Sequence, residues 1–506
     1  MHAGVEGATL VSSCLVRDRL VNVRGLRIHM IGIGGSGMSG AAALLRARGA
    51  EVSGSDLAQF EGLGQLIASG VRVTVGQRAA NVDEKVEVVV ASAAIPAGNP
   101  ELVAARDRGL PVVKYAEVLG TLMSGRDGVA IAGTHGKSTT SGLAVHLLRE
   151  AGLSPSFVIG ARSWQLGGNG GAGEGRHFVV EACEFDRSFL QFHPRYAAIL
   201  NVEPDHLDCY RDVEEIVDAF GDFARNVSGD GLLVCNGEDE RAIRAARRCV
   251  GDVETFGFLP SADWRATELE SDRGRFAFNV RHRGSVALST RLSIPGVHNV
   301  ANALAAIAIA MRCGADPAKL AAGVSSFAGV DRRMTWRGRG RGVTIVDDYA
   351  HHPTEIQVTL RAAIQRYVPT RVWVVFQPHQ AARTRHFMSE FAESFEGVEE
   401  IIVPDIYGAR ETEATANPMG SAELVARIKN HGVRARYEPQ LKDIARYLTD
   451  RVDAGDLVLT MGAGDVWKVA DELVERLCRS DRAGRAAGEA DVVSTRRGGA
   501  VPVPAA

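Results

Sequence analysis

The chain has 506 residues, too many for one core, and at about 150 residues per domain it suggests three. With 58 basic and 61 acidic side chains the net charge is −3, which gives no electrostatic footprint for nucleic acid, and 45% apolar residues exclude global disorder. Seven scattered cysteines without a CxxC pair indicate neither a disulfide framework nor a zinc module, and no run of 18 apolar residues exists, so a cytoplasmic chain without membrane insertion is expected.

Residues 1–22 show no sustained periodicity and are expected to form a flexible tail. Beyond them, short apolar runs ending in Gly, Asp or Asn alternate with amphipathic stretches, the rhythm of β-α units on parallel sheets, so the fold class is α/β. In the first block, 23–120, the pattern predicts strands at 26–33, 51–56, 71–75, 86–92 and 111–114, with a helix over 38–48. The second block, 121–328, starts with a strand at 129–132, a Gly-rich turn and a helix to about 152, and adds strands at 178–181 and 197–202. Between 263 and 292 the alternation of apolar and polar residues reads as antiparallel, peripheral strands, followed by a helix of small residues over 298–312. The third block, 329–480, returns to the β-α rhythm with strands at 343–346, 371–376, 401–403 and 457–460, and the Arg-, Gly- and Ala-rich segment 481–506 is expected to be disordered.

Gly32, Gly34, Gly35, Ser36 and Gly37 form a G-x-G-x-x-G turn between a predicted strand and helix, and Asp56 ends the next strand. Such glycines let the backbone approach a pyrophosphate at a helix N-terminus while the acidic residue accepts from a ribose hydroxyl; a dinucleotide and a nucleotide sugar fit equally well. Gly133-Thr134-His135-Gly136-Lys137-Ser138-Thr139 follows a second strand, and Ile131 stands where the usual phosphate loop has its first glycine. The chemistry still holds together: backbone N–H groups surround a triphosphate, Lys137 neutralises its β and γ phosphates, and the Ser138 hydroxyl can ligate Mg²⁺. Glu181 and the Glu203-Pro204-Asp205-His206-Leu207-Asp208 segment follow predicted strands, where hard ligands for magnesium belong. Asp347 to Glu355 crowds paired Asp and paired His ahead of a helix opening at Pro353, which a capping role alone does not explain. Arg383, after the strand leading to His379, is suited to hold a carboxylate bidentately.

Taken together, GIGGSGMSG (32–40), NPELVAARDRGLPVVKYAEVLGTLM (99–123), GTHGKSTT (133–140), NVEPDHLDCY (201–210), HNVAN (298–302), GVDRR (329–333) and DDYAHHPTE (347–355) resemble the Mur ligase family over about residues 26–475. The resemblance implies three domains: an N-terminal Rossmann-like one for a UDP-sugar, a central P-loop ATPase with a mostly parallel sheet, and a C-terminal Rossmann-like one for the amino acid. It further implies, through the alanine-adding branch, ATP-dependent joining of L-alanine to UDP-N-acetylmuramate by way of an acyl phosphate, in peptidoglycan precursor synthesis. By position, Lys137 would hold the γ phosphate, Ser138, Glu181 and His206 would bind Mg²⁺, Asn299 would meet adenine, Arg333 the transferred phosphate, and Asp348 the ATP. Tyr349, His379 and Arg383 would shape the amino-acid site, and Gly32 to Gly37, Asp56, Ser92 and His352 would belong to the UDP-sugar side. Catalytic weight would fall on Lys137, His206, Arg333 and Asp348.

Two departures stand out: Glu181-Ala182-Cys183-Glu184 replaces E-A-D-E, and His379-Gln380-Ala381-Ala382-Arg383-Thr384 replaces H-R-Y-T-R-T, losing an arginine and leaving glycine or serine as conceivable substrates. No Lys lies between His206 and Lys319, so the carbamylated lysine of later-acting ligases has no candidate there. The competing readings are an NAD-dependent oxidoreductase built on the first turn, a non-catalytic nucleotide-binding regulator, and a ligase that attaches a whole tripeptide to the same sugar. A monomer or weak homodimer is expected.

Overall fold

The computed structural model describes residues 19–206, 209–408 and 419–479. The tail expected at 481–506 and most of that at 1–22 therefore lie outside the described residues, but Leu20 is buried, so the packed chain starts before residue 23. The chain divides into two compact units, the first ending at Asp331 and the second beginning at Arg332. Among the described residues no helix is long and apolar enough to cross a membrane.

The first unit holds two sheets. Strands β1 (Arg27–Ile31), β2 (Glu51–Asp56), β3 (Arg72–Val75), β4 (Val88–Ala91) and β5 (Val112–Lys114) make a fully parallel sheet in the order β3-β2-β1-β4-β5. Helix α1 (Ser36–Ala47) follows β1 through the first glycine turn. Crossing from β1 to β4 reverses the strand order beside that turn, the place where open α/β sheets leave a crevice for a ligand.

The second sheet contains β6 (Asp127–Ala132), β7 (Ser156–Ser163), β8 (Gly168–Gly171), β9 (His177–Glu181), β10 (Tyr196–Ile199), β11 (Leu232–Asn236), β12 (Asp252–Gly257), β13 (Trp264–Asp272), β14 (Arg275–His282) and β15 (Ser285–Arg291). Its order is β15-β14-β13-β12-β11-β10-β6-β9-β7-β8, parallel from β13 to β7, with antiparallel β14 and β15 on one edge and antiparallel β8 on the other. Helices α2 (Lys137–Glu150) and α3 (Val297–Arg312) pack together over the sheet, their buried faces rich in small residues that allow close approach.

The two sheets share a core, in which Met30, Leu44, Leu119 and Leu122 belong to the same cluster as Phe178, Phe189 and Phe220. The boundary expected near 121 falls inside the helix Tyr115–Met123, which contributes to that cluster. Polar ties join the sheets as well: Asn169 Nδ2 donates to the Ser39 hydroxyl at 3.0 Å, and Lys114 Nζ pairs with Asp186 at 2.6 Å.

The second unit is one sheet of β16 (Thr335–Gly340), β17 (Val343–Asp348), β18 (Val372–Phe376), β19 (Glu400–Val403), β20 (Ala435–Tyr437) and β21 (Leu457–Met461), in the order β16-β17-β21-β18-β19-β20. Only the β16–β17 pairing is antiparallel. Helix α4 (Pro353–Tyr367) follows β17, and the strands are apolar on both faces, as expected when helices cover a parallel sheet on each side.

Candidate active site

In the first glycine turn, Gly32 adopts φ +78° and its N–H, with that of Ile33, donates to the Ser55 carbonyl at 2.9 and 3.0 Å. Asp56 Oδ2 accepts from the Gly34 N–H at 2.8 Å, and a Cβ on Gly34 would meet Asp56 and the Phe60 ring, so the turn has room for nothing larger. No side chain caps α1, which leaves the N–H groups of its first turn available. Ser92 follows β4 directly, beside Gly32, its N–H bonded to Ile31 O at 3.2 Å.

The second turn has the same construction. Gly133 and Gly136 take φ +146° and +80°, and Gly136 opens α2 with no capping side chain. Asn201 braces the loop, its Oδ1 accepting from His135 N at 2.7 Å and its Nδ2 donating to His135 O at 3.1 Å; Thr134 Oγ1 accepts from Glu203 N at 2.9 Å. Ser138 and Thr139 are buried in the first turn of α2. Asn299 in the first turn of α3 donates to Pro295 O at 2.6 Å and accepts from Asn302, whose Oδ1 lies against Gly136. Asn201 and Asn302 sit within quoted motifs, yet nothing in residue type alone distinguishes a brace from a ligand.

Lys137 Nζ contacts Gly133 O at 2.5 Å, Thr134 O at 3.0 Å and the two Glu184 oxygens at 3.1 and 2.9 Å. Burial works to lower the lysine's pKa, but the Glu184 carboxylate outweighs it and the net shift is upward, so the ammonium stays charged. Glu184, absent from the expected ligands, thus lies closer to the loop's chemistry than sequence position indicated. Glu181 turns to accept from the Gly160 N–H at 2.6 Å, and His206 Nε2 stands 3.8 Å from Glu184 Oε1. His206 Nδ1 is buried without a hydrogen-bond partner among the described residues. The Ser138 hydroxyl and the carboxylates of Glu181 and Glu184 are the oxygen donors that Mg²⁺ takes, and the imidazole adds an unpartnered nitrogen near Glu184. Cys183 brings no charge to the group, since burial pushes its thiol up to about 12.

In the second unit the candidate residues gather at the carboxyl ends of β17 and β18. Asp348 accepts from Met334 N at 2.7 Å and Ala350 N at 2.8 Å; burial raises its carboxyl to about 6 against the opposing pull of Arg333. Arg333 Nη1 reaches Glu355 at 3.4 Å, and Glu355 also accepts from His351 N at 3.0 Å. Both Arg332 and Arg333 lie over the Tyr349 ring, 5.0 and 5.3 Å from its centroid. Arg332 is fastened to Asp347 and to the carbonyls of Gly462 and Gly464, a framework role that explains the first arginine of its motif. His352 caps α4 by accepting from Thr354 N at 3.3 Å and packs on Phe387. The cap and Pro353 account for one histidine of the pair, while His351 faces His379 with ring centroids 5.8 Å apart. Arg383, nearly buried, meets His379 Nδ1 at 3.0 Å, and His379 stacks on Tyr407, a residue outside every sequence motif. Gln380 stands where the family pattern has arginine; it adopts φ +66°, and its N–H donates to Tyr407 O at 2.9 Å.

Three family models match in chain order: Mur ligase family, catalytic domain, over residues 27–127; Mur ligase middle domain over 131–310; and Mur ligase, glutamate ligase domain, over 332–464. The UDP-N-acetylmuramate–L-alanine ligase of Agathobacter rectalis is 38% identical over 453 residues, 89% of this chain and 98% of that protein. The enzyme of the same name from Lachnospira eligens is 40% identical over the same shares of the two chains. Among solved structures, the UDP-N-acetylmuramate-alanine ligase of Thermotoga maritima superposes with TM-score 0.78 at 28% identity, covering 90% of this chain and all of that one. Two glycine turns each opening an uncapped helix, three α/β sheets in this order, and matches along nearly the whole chain converge: the protein belongs to the Mur ligase family.

Proposed function

We propose that the protein joins L-alanine to UDP-N-acetylmuramate at the expense of ATP, the first peptide-forming step toward peptidoglycan, and does so in the cytoplasm. The observation that carries the reading is the Gly133–Thr139 loop, where Lys137 and backbone N–H groups converge at the head of α2 beside Glu181, Glu184 and His206. A hydride-transfer enzyme built on the first turn needs none of that cluster.

In the proposed sequence a lactyl carboxylate oxygen attacks the γ phosphorus of ATP, the bond to the β-phosphate oxygen breaks, and acyl phosphate and ADP form. The neutral amine of alanine then attacks the acyl carbon, phosphate departs with the C–O bonding pair, and the amine proton is lost. Lys137 and the loop N–H groups offset charge on the transferred phosphoryl group. Ser138, Glu181 and His206 would hold Mg²⁺, which when bound neutralises phosphate charge. Asn299 would meet the adenine base. The first turn, with Asp56 and Ser92, takes the UDP moiety, its helix N-terminus favouring the diphosphate. In the second unit Arg383 takes the alanine carboxylate, with Tyr349 and His379 around it.

Phosphate release measured against a panel of amino acids tests the reading. Release is expected only when ATP, UDP-N-acetylmuramate and an amino acid are all present, strongest with L-alanine and weaker with glycine and L-serine. Release that ignores the UDP-sugar, or a nicotinamide absorbance change, would refute it.

A further inference from the structure

Resting on the reading of Gly133–Thr139 as a triphosphate cradle, we propose that Glu184 is a positioning residue for the ATP site: it latches Lys137, and a triphosphate binds by taking the lysine from it. An ammonium has three N–H donors, and Lys137 faces four protein acceptors between 2.5 and 3.1 Å, so it has no donor left over. To reach a phosphate it must release some of them. The loop carbonyls travel with the lysine's own turn, whereas Glu184 stands on a different segment, after β9, and is 2% exposed. That pairing is the one whose rupture leaves a charge buried, and it therefore sets the cost of exchange.

Several contacts hold Glu184 in place. The Tyr210 hydroxyl donates to Glu184 O at 2.6 Å. The chain then passes through Asp186 and Arg187 at φ +54° and +52°, two consecutive non-glycine residues in the left-handed region. Lys114 holds the first at 2.6 Å and Glu215 the second at 2.5 Å. A strained segment fixed from both sides is what a latch needs, because the carboxylate cannot follow the lysine when it moves.

The test is calorimetric titration of the full chain with ATP in EDTA, in the absence of the other substrates. Glu184→Gln is expected to bind ATP about threefold to tenfold more tightly, because an amide holds the ammonium less strongly. Glu184→Asp, which keeps the charge on a shorter side chain, should tighten binding less than Glu184→Gln does. In a Lys137→Met background, Glu184→Gln should change nothing, because the effect runs through the lysine. Unchanged or weaker binding by Glu184→Gln overturns the latch, and so does tightening that persists without Lys137, which would mark simple repulsion of an anion. Equal tightening by the Asp variant also overturns it. Failure of the parent chain to bind ATP would instead defeat the cradle reading itself.

Discussion

Asp348 is the carboxylate whose environment most directly predicts a measurable pH effect. Its ordinary value is 3.8 and burial lifts it to about 6, so between those values the folded chain retains a proton that the unfolded chain has released. Stability therefore declines as pH rises through that interval and stays lower above it, by on the order of 1–3 kcal/mol. Asp348→Asn cannot titrate, and urea unfolding at a series of pH values should show that decline absent from the variant. Absolute stability need not rise, because an amide cannot accept from both Met334 N and Ala350 N as the carboxylate does. A slope as steep in the variant as in the parent would assign the pH dependence to another group. Arg383 calls for a kinetic experiment: Arg383→Ala is expected to raise KM for alanine about 10- to 100-fold while KM for the UDP-sugar stays within about twofold. Equal loss of both would mean that the arginine, bonded to His379, acts through the general shape of its loop.

At the level of elements, the strand pair β7 and β9 sets the metal side of the cradle through one glycine. Gly160 donates its N–H to Glu181, and a methyl group built there would overlap that carboxylate. Gly160→Ala should displace Glu181 and raise the Mg²⁺ concentration for half-maximal phosphate release by about tenfold, with KM for alanine unchanged; an unaltered metal requirement would remove Glu181 from the ligand set. The same region shows where sequence reading stops. The buried parallel strands β1, β6, β9 and β17 were legible because their apolar runs end at glycine or acidic residues, and β18 because its run of five apolar residues is followed by Gln377 and Pro378. β8, with the sequence Gly-Asn-Gly-Gly, offers no side-chain pattern; its glycines are fixed by tertiary contact, since a Cβ on Gly170 would overlap the Gly40 carbonyl of α1. The edge strand β16, rich in Arg and Gly, pairs only on one side and was equally silent. Within the candidate site the motifs supplied Lys137, Glu181 and His206, but Glu184 and Tyr407 emerge only when the chain is folded, because their roles depend on partners 47 and 28 residues away.

The whole molecule combines two units whose contents predict different responses to ligands. Everything assigned to the phosphate loop, Lys137, Ser138, Glu181, Glu184, His206 and Asn299, lies before Asp331, and so does the first glycine turn. That unit unites two sheets through one apolar cluster, so it should unfold as a single cooperative body despite matching two family models. The second unit has its own clusters on the two faces of its sheet and should melt as a separate transition. A ligand that binds one folded unit stabilises that unit by about 2.7 kcal/mol at a concentration 100 times its Kd. For a unit of this size that is about 4 °C in Tm. Scanning calorimetry with ADP and Mg²⁺ is therefore expected to move one of two transitions upward and leave the other in place. UDP-N-acetylmuramate should move the same one, because both glycine turns report to a common core. Separate shifts of two different transitions by the two nucleotides would mean that the apolar cluster does not couple the sheets energetically, whatever their contact in the folded chain.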